Sequence, residues 1–388
     1  MTAKKAATDS AAPSYPLIVL LHLGWDWVWQ RPQHLLTRLA AQHPVLCVME
    51  PWIHPVDHPP LLNIEPRAGN VTLAWPVFSQ EQADAAGGVY QLVGQLIDAR
   101  IKKEKLADPA YWLYTPLAEP VLAGHDTALV VFDAMDELSA FRFAPPELKA
   151  HEAALMQRAD LVFTGGQSLY EARLGRNPHV YCFPSGVEQA HFAQALTPAI
   201  EVPPPVADLP QPRIGYYGVI DERLDLDLLR QVAALRPAYQ WIMVGPTAKV
   251  NPADLPQAAN IHYLGKQEYA DLPRFLKGFD VCMMPFALNE STRFISPTKT
   301  LEYMAAHKPT VSTPIRDVVG PYSHIVRIAD TPAAFVAAVD AALAEPAVAR
   351  SARHAAETAV LAQYEWDTIA AQMLALMDAA YVARSQQR

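Results

Sequence analysis

Lys299 and Glu302 lie three residues apart in the stretch FISPTKTLEYMAAHKPTVST (Phe294–Thr313). That spacing puts both on one face of a helix. Ser296 and Pro297, just before them, read as a helix start with Ser296 at or beside the N-cap. A helix start offers unpaired N–H groups and a partial positive charge, both suited to phosphate. Lys299 would bring a full charge to the same anion. A carboxylate at Glu302 can accept hydrogen bonds from two adjacent hydroxyls, as on a ribose. The plainer alternative is a Lys–Glu pair on a surface helix.

Three more stretches carry chemistry. In RIGYYGVIDERLDLDLL (Arg213–Leu229) a strand ends in Gly215–Gly218 and a helix begins near Asp221. Glycine there lets a ligand approach the backbone. The turn is not GxGxxG, and Arg223 has the alternative of an ion pair with Asp225 or Asp227. In FDAMDELSAF (Phe132–Phe141), Asp133 and Asp136 sit at or just past a strand end. A carboxylate there can act as general base or hold a hydroxyl, or it can simply cap a helix. His22 is a further base candidate, or a satisfied core residue. HLGWDWVWQRPQHLLTRLA (His22–Ala40) packs Trp25, Trp27 and Trp29 into five residues. Packing accounts for one or two of them, and aromatics at a strand end also suit stacking on a sugar face.

The elements that must position these residues alternate. Apolar runs at Pro16–Leu23, Val45–Glu50, Tyr111–Thr115, Ala128–Ala134, Leu161–Gly165 and Val180–Pro184 read as strands covered on both faces. Arg31–Gln42 and Pro145–Ala159 read as helices. Thr197–Pro212 holds six prolines and no periodicity, which predicts a linker. The rhythm then restarts, with strands predicted at Arg213–Gly218, Gln240–Gly245, Ile261–Gly265, Val281–Phe286, Pro309–Thr313 and His324–Ala329. Strand–helix alternation implies α/β architecture: two doubly wound, Rossmann-like parallel sheets. The expected division is a disordered tail over 1–14, a first domain over 15–196, the linker over 197–212 and a second domain over 213–364. A final helix over 365–388 either stays on the second domain or crosses back to the first. Ligands of such sheets bind beyond the carboxyl ends of the strands, so the cleft between the domains is the expected site.

Composition narrows the function. The 388 residues are 51% hydrophobic and 18% charged, enough for two large cores. A net charge of −9 argues against a nucleic-acid partner. The short basic run Ile101–Lys105 leaves a local membrane-surface contact open. Cys47, Cys182 and Cys282 each sit in an apolar run with no metal-ligand spacing, which fits core packing and a reducing compartment. No apolar run reaches the roughly 20 residues of a spanning helix. The expected location is cytoplasmic, with peripheral contact at the inner face of the membrane left open.

SPTKTLEYMAAHKPTVST resembles the donor-site helix of GT-B glycosyltransferases. The resemblance implies ribose binding by Glu302 and places Ser296, Thr298 and Lys299 near the diphosphate. Phe294 stands where many retaining members carry a second glutamate, and His307 where glycine is common. RIGYYGVIDERLDLDLL is similar to a second signature of these enzymes, implying that Gly218 and Arg223 border the diphosphate. IHYLGKQEYADLPRFLKGFDVCMMPF (Ile261–Phe286) resembles a third, which puts Gly265, Lys266 and Gln267 near the nucleobase. Gly245, closing the preceding strand, joins the donor-binding set. WDWVWQRPQHLLTRLA and FDAMDELSAF resemble motifs of a bacterial subgroup linked to surface polysaccharides. They imply that Asp26, Trp29, Gln30 and Arg31 line the cleft and that Asp136, Asp133 and Asp26 are the catalytic candidates.

The resulting expectation is a GT-B glycosyltransferase moving sugar from a nucleotide diphosphate sugar, UDP-linked, to a glycan or lipid-linked acceptor. Nothing in this design requires a metal ion or a cofactor beyond the co-substrate. DLD at Asp225–Asp227 matches an Asp-x-Asp metal motif in letters but is read as lying inside a helix. A sugar-nucleotide epimerase of the same fold and a non-catalytic sugar-nucleotide-binding component of a polysaccharide assembly are the alternatives. A nicotinamide oxidoreductase is disfavoured, because no GxGxxG follows the first strand.

Overall fold

The structure, a computed structural model, describes residues 13–124 and 127–388. The tail expected over residues 1–14 lies almost wholly outside the described residues.

Among these residues the chain forms two sheets. The first contains β1 (Leu17–Leu20), β2 (Val45–Val48), β3 (Trp52–Ile53), β4 (Leu61–Pro66), β5 (Val71–Phe78), β6 (Ala110–Leu113), β7 (Leu129–Ala134), β8 (Leu161–Thr164) and β9 (Val180–Cys182). Its order is β3-β5-β2-β1-β6-β7-β8-β9, with β4 pairing antiparallel to β5. The second sheet is parallel throughout. It orders β10 (Arg213–Tyr217), β11 (Gln240–Val244), β12 (Ile261–Tyr263), β13 (Val281–Met284), β14 (Thr310–Ser312) and β15 (Arg327–Ile328) as β12-β11-β10-β13-β14-β15.

The continuous apolar runs have a direct use. Along β1, Leu17 and Val19 join one hydrophobic cluster while Ile18 and Leu20 join the cluster on the other face. Successive strand residues point to opposite faces, so a strand covered on both sides needs apolar residues at every position. Strand order reverses between β1 and β6 in the first sheet and between β10 and β13 in the second. Those switch points set the floor of the cleft.

Two segments differ from the sequence expectation. The β4–β5 hairpin was not foreseen. It turns through Gly69 and Asn70, both at positive φ (72° and 67°). The proline-rich stretch is not a free span: Pro204–Ala207 forms one helical turn, and Val206 is fully buried in the core of the second sheet.

The last helix, Trp366–Ser385, packs on the first sheet. Trp366, Ile369, Met373 and Met377 share a cluster with Leu35, Leu36 and Trp112. The Tyr15 hydroxyl donates to Asp378 at 2.9 Å, tying the two ends of the chain together. Among the described residues no single helix is long and apolar enough to cross a membrane.

Candidate functional site

A cleft of about 580 Å³ lies between the two sheets at the carboxyl ends of their strands. Its floor is shaped by two glycine turns. Gly218 ends β10 and Gly245 ends β11, both at φ +145°, a conformation that side-chain-bearing residues rarely adopt. A Cβ on Gly245 would fall 1.9 Å from the Gly218 carbonyl oxygen. The Gly245 N–H donates to Gly265 O at 2.8 Å. Gly265 thus shapes the loop from behind and is not among the residues lining the cleft.

Lys299, Thr298 and Ser296 line the cleft, but the local geometry differs from expectation. The helix spans only Lys299–Ala305, with Thr298 as N-cap and no side-chain cap bond. Ser296 is therefore two residues before the cap, and a helix of two turns carries only a small dipole. The Lys299 ammonium stands 4.0 Å from Glu302 Oε2 and 3.2 Å from the Thr298 hydroxyl. Glu302 lies deeper, 8% exposed, and its Oε2 has no hydrogen-bond partner among the described residues. A buried carboxylate oxygen needs a donor, and the groups beside it are the Lys299 ammonium at 4.0 Å and the Tyr217 hydroxyl. Tyr217 packs close by. Burial first, and then the charge on Glu302, push its phenol well above the ordinary value. His307 adopts φ +52° just after this helix, a left-handed conformation that favours glycine.

Arg223 does not pair with Asp225 or Asp227. Its guanidinium bonds Asp221 instead, at 2.7 Å from Nη2 and 3.0 Å from Nε. Asp225 caps the helix Leu226–Leu235 by accepting the Leu228 N–H at 2.8 Å, and Asp227 pairs with Arg230. The DLD letters are thus a helix start rather than a helix interior. Lys266 donates to the Asp26 backbone carbonyl at 3.1 Å, reaching across from the second sheet to the first. Gln267 donates to Leu264 O at 2.8 Å, which fixes its side chain at the cleft wall.

The three catalytic candidates separate clearly. Asp133 does not face the cleft. It is fully buried and held by Arg31 through contacts of 3.0–3.2 Å, while Arg31 Nη1 donates to Phe183 O at 2.7 Å. Burial works against the Arg31 charge, but Asp133 outweighs it and raises the guanidinium above its ordinary value. This pair braces the wall on which Gln30 and Trp29 sit. Asp26 is exposed at the mouth, with its carboxylate bound to Arg67 at 2.7 Å. Asp136 lines the cleft itself and makes no hydrogen bond among the described residues. Burial pushes its carboxyl up to about 6. Arg223, Lys249 and Arg31 oppose that shift, and Asp221 adds to it. Such a group is ionised at neutral pH yet basic enough to take a proton. His22 is drawn down to about 4, by burial and then by Lys249, so it is neutral with its Nδ1 unpaired.

The sequence reading missed Asp221, Tyr217, Phe141 and Lys249. Lys249 lies in the loop after β11, at φ +57°, with Nζ 3.9 Å from Glu222 and 4.4 Å from the Phe141 ring centre. Its only sequence signal is its place beyond a strand end. The two halves also meet behind the cleft, where Asp317 accepts from the Ser168 N–H at 3.2 Å and from its hydroxyl.

His307, His354 and Glu357 bring three ligand-type atoms within 4.8 Å of one another on the second domain. The two imidazoles stack at 4.1 Å with a 15° tilt, so their in-plane lone pairs cannot converge on one ion about 2 Å from each. Glu357 is already bonded to His307 and Arg353 at 2.7 and 2.6 Å. The cluster is a hydrogen-bonded brace.

Residues 211–345 match the family described as glycosyl transferases group 1. A "Putative teichuronic acid biosynthesis glycosyltransferase TuaH" from Bacillus subtilis (strain 168) is 25% identical over 213 residues, 51% of this chain. The match spans about half, 52%, of that relative's length. Sucrose-phosphate synthase from Thermosynechococcus elongatus superposes with TM-score 0.72 at 16% identity, covering 95% of this chain and all of that one. An α,α-trehalose-phosphate synthase (UDP-forming) from Burkholderia vietnamiensis gives 0.69 at 15% identity, covering 96% and 100%. The trehalose-6-phosphate protein of E. coli bound with UDP-2-fluoro glucose gives 0.69 at 15%, covering 94% and 99%. Residues 211–345 thus match the glycosyl transferases group 1 model, and the chain as a whole shares the two-sheet fold of these solved structures.

Proposed function

We propose that the chain transfers a sugar from a nucleotide diphosphate sugar, UDP-linked, to a glycan or lipid-linked acceptor in bacterial polysaccharide synthesis. One observation carries the reading. A single cleft is lined by Asp136 of the first domain and by Arg223 and Lys299 of the second, with the Glu302 carboxylate 4.0 Å from the Lys299 ammonium behind the lining. The family match supports transfer, the UDP ligand and UDP-forming names among similar folds support the donor, and the teichuronic acid relative supports the acceptor class.

In this reading Glu302 accepts the ribose hydroxyls, and the Gly265–Gln267 loop borders the base. Arg223, Lys299 and the Gly218 and Gly245 turns face the diphosphate. The acceptor hydroxyl attacks the anomeric carbon while Asp136 takes its proton. The bond from that carbon to the phosphate oxygen breaks, and the nucleoside diphosphate leaves against Arg223 and Lys299. Their charges act most strongly where the negative charge develops. No step in this scheme calls on a metal ion. Trp27 and Trp29, each about 40% exposed at the mouth, offer faces to an acceptor sugar.

The test is a thermal-shift screen against nucleoside diphosphates and their sugars, followed by product analysis with and without glycan acceptors. UDP should raise the melting temperature, and UDP release from a UDP-sugar should require acceptor. No shift with any nucleoside diphosphate would defeat the donor site. Conversion of the sugar nucleotide without acceptor would favour the epimerase reading.

A further inference from the structure

Phe141 has no part in the scheme above, yet it touches both cations of the two glycine loops. It belongs to the first domain, in the loop that leaves β7 and carries Asp136. The ring centre lies 4.4 Å from Lys249 Nζ and 5.6 Å from Arg223 Cζ. Arg223 comes from the loop after β10 and Lys249 from the loop after β11, both in the second domain. Two cations so placed repel each other, and the negative face of an aromatic ring offsets that repulsion. Lys249 holds a left-handed backbone that lysine rarely takes, so its loop is kept there by its surroundings. Its acid neighbour Glu222 is 3.9 Å away, beyond hydrogen-bond range.

Asp221 and Phe141 hold Arg223 in different ways. Asp221 lies two residues before Arg223 in the same loop and moves with it. Phe141 comes from the opposite domain, so its contact exists only while the domains are together. We propose that Phe141 is a positioning residue, an interdomain clasp whose ring orders Lys249 and Arg223 when the cleft closes on a nucleoside diphosphate. The last clause rests on the donor reading above; the clasp itself does not.

Hydrogen exchange on the free protein tests the clasp. Phe141→Leu keeps the apolar bulk and removes the ring face, and should speed exchange across residues 246–251 at least threefold. Phe141→Tyr keeps the face and should restore the wild-type rate. Lys249→Met, read from the other side, should speed exchange across residues 139–145. Unchanged exchange in both Leu and Met variants, or equal loss in the Tyr variant, would overturn the clasp.

Calorimetry with UDP and UMP reads its service to the donor site. Phe141→Leu should weaken UDP five- to tenfold and UMP by less than twofold. Equal losses for the two nucleotides would overturn the positioning of Arg223 on the diphosphate. Failure of the wild-type protein to bind either nucleotide would overturn the donor reading and that positioning together, and hydrogen exchange would still decide the clasp.

Discussion

The Gly218 carbonyl oxygen occupies the space a Cβ on Gly245 would need, 1.9 Å away. Two strand ends therefore meet through backbone alone, and the cleft floor there has no room for side chains. Gly245→Ala must also take φ +145°. It should destabilise the fold by about 1–3 kcal/mol or more and reduce UDP affinity at least tenfold. Chemical denaturation and calorimetry would measure both. A stable variant with unchanged affinity would show that the floor yields easily.

Asp136 governs the proposed dependence on pH. With its carboxyl at about 6, kcat/KM should fall about tenfold per pH unit below 6 and level off above it. Asp136→Asn should flatten that limb and lower turnover by 100-fold or more, with UDP affinity kept. Because the folded state raises this carboxyl, its favourable contribution to stability is present below the unfolded value of about 4 and is lost as pH rises through 6. The Asn variant should therefore gain on wild type across that window, by about 3 kcal/mol at most. A pH profile unchanged by the substitution would remove Asp136 as the base.

Glu302 and Lys299 should separate by ligand. Each alanine variant is expected to weaken UDP by about 1–3 kcal/mol, the scale of a lost charge-assisted hydrogen bond. Glu302→Ala should also erase the preference for UDP over 2′-deoxy-UDP, because its proposed partners are ribose hydroxyls. A preference that survives would place the ribose elsewhere.

Arg31 and Asp133 should prove structural. Removing either partner strands a buried charge and should cost about 3–5 kcal/mol, whereas replacing both with apolar residues of matching volume should recover much of that loss. Urea unfolding of Arg31→Met, Asp133→Leu and the double variant would show it. Additive losses would mean that the two do not act as a pair.

Most of the framework was legible in the sequence. Continuous apolar runs announced the parallel strands, since a strand covered on both faces admits little else. Lys299 and Glu302 could be placed together because helical spacing is local information. The β4–β5 hairpin escaped because Pro76 interrupts a run that otherwise reads as a strand, although the Gly69–Asn70 turn was available as a signal. Asp133 and Asp136 could not be told apart, three residues from each other at one strand end. What separates them is Arg31, 102 positions away in the sequence. Lys249 and Phe141 escaped for the same reason, since their meaning arises only where two distant loops meet.

The crossing of the last helix has a consequence for biogenesis. Trp366, Met373 and Met377 complete the core around β1 and β6, strands that leave the ribosome hundreds of residues earlier. Domains commonly fold in the order of synthesis. Here the first-made domain must wait, with an unfinished apolar face, until the helix Trp366–Ser385 has been made. Chains stalled or clipped before residue 366 should expose that face and turn to chaperones or aggregates, even with every cleft residue already made.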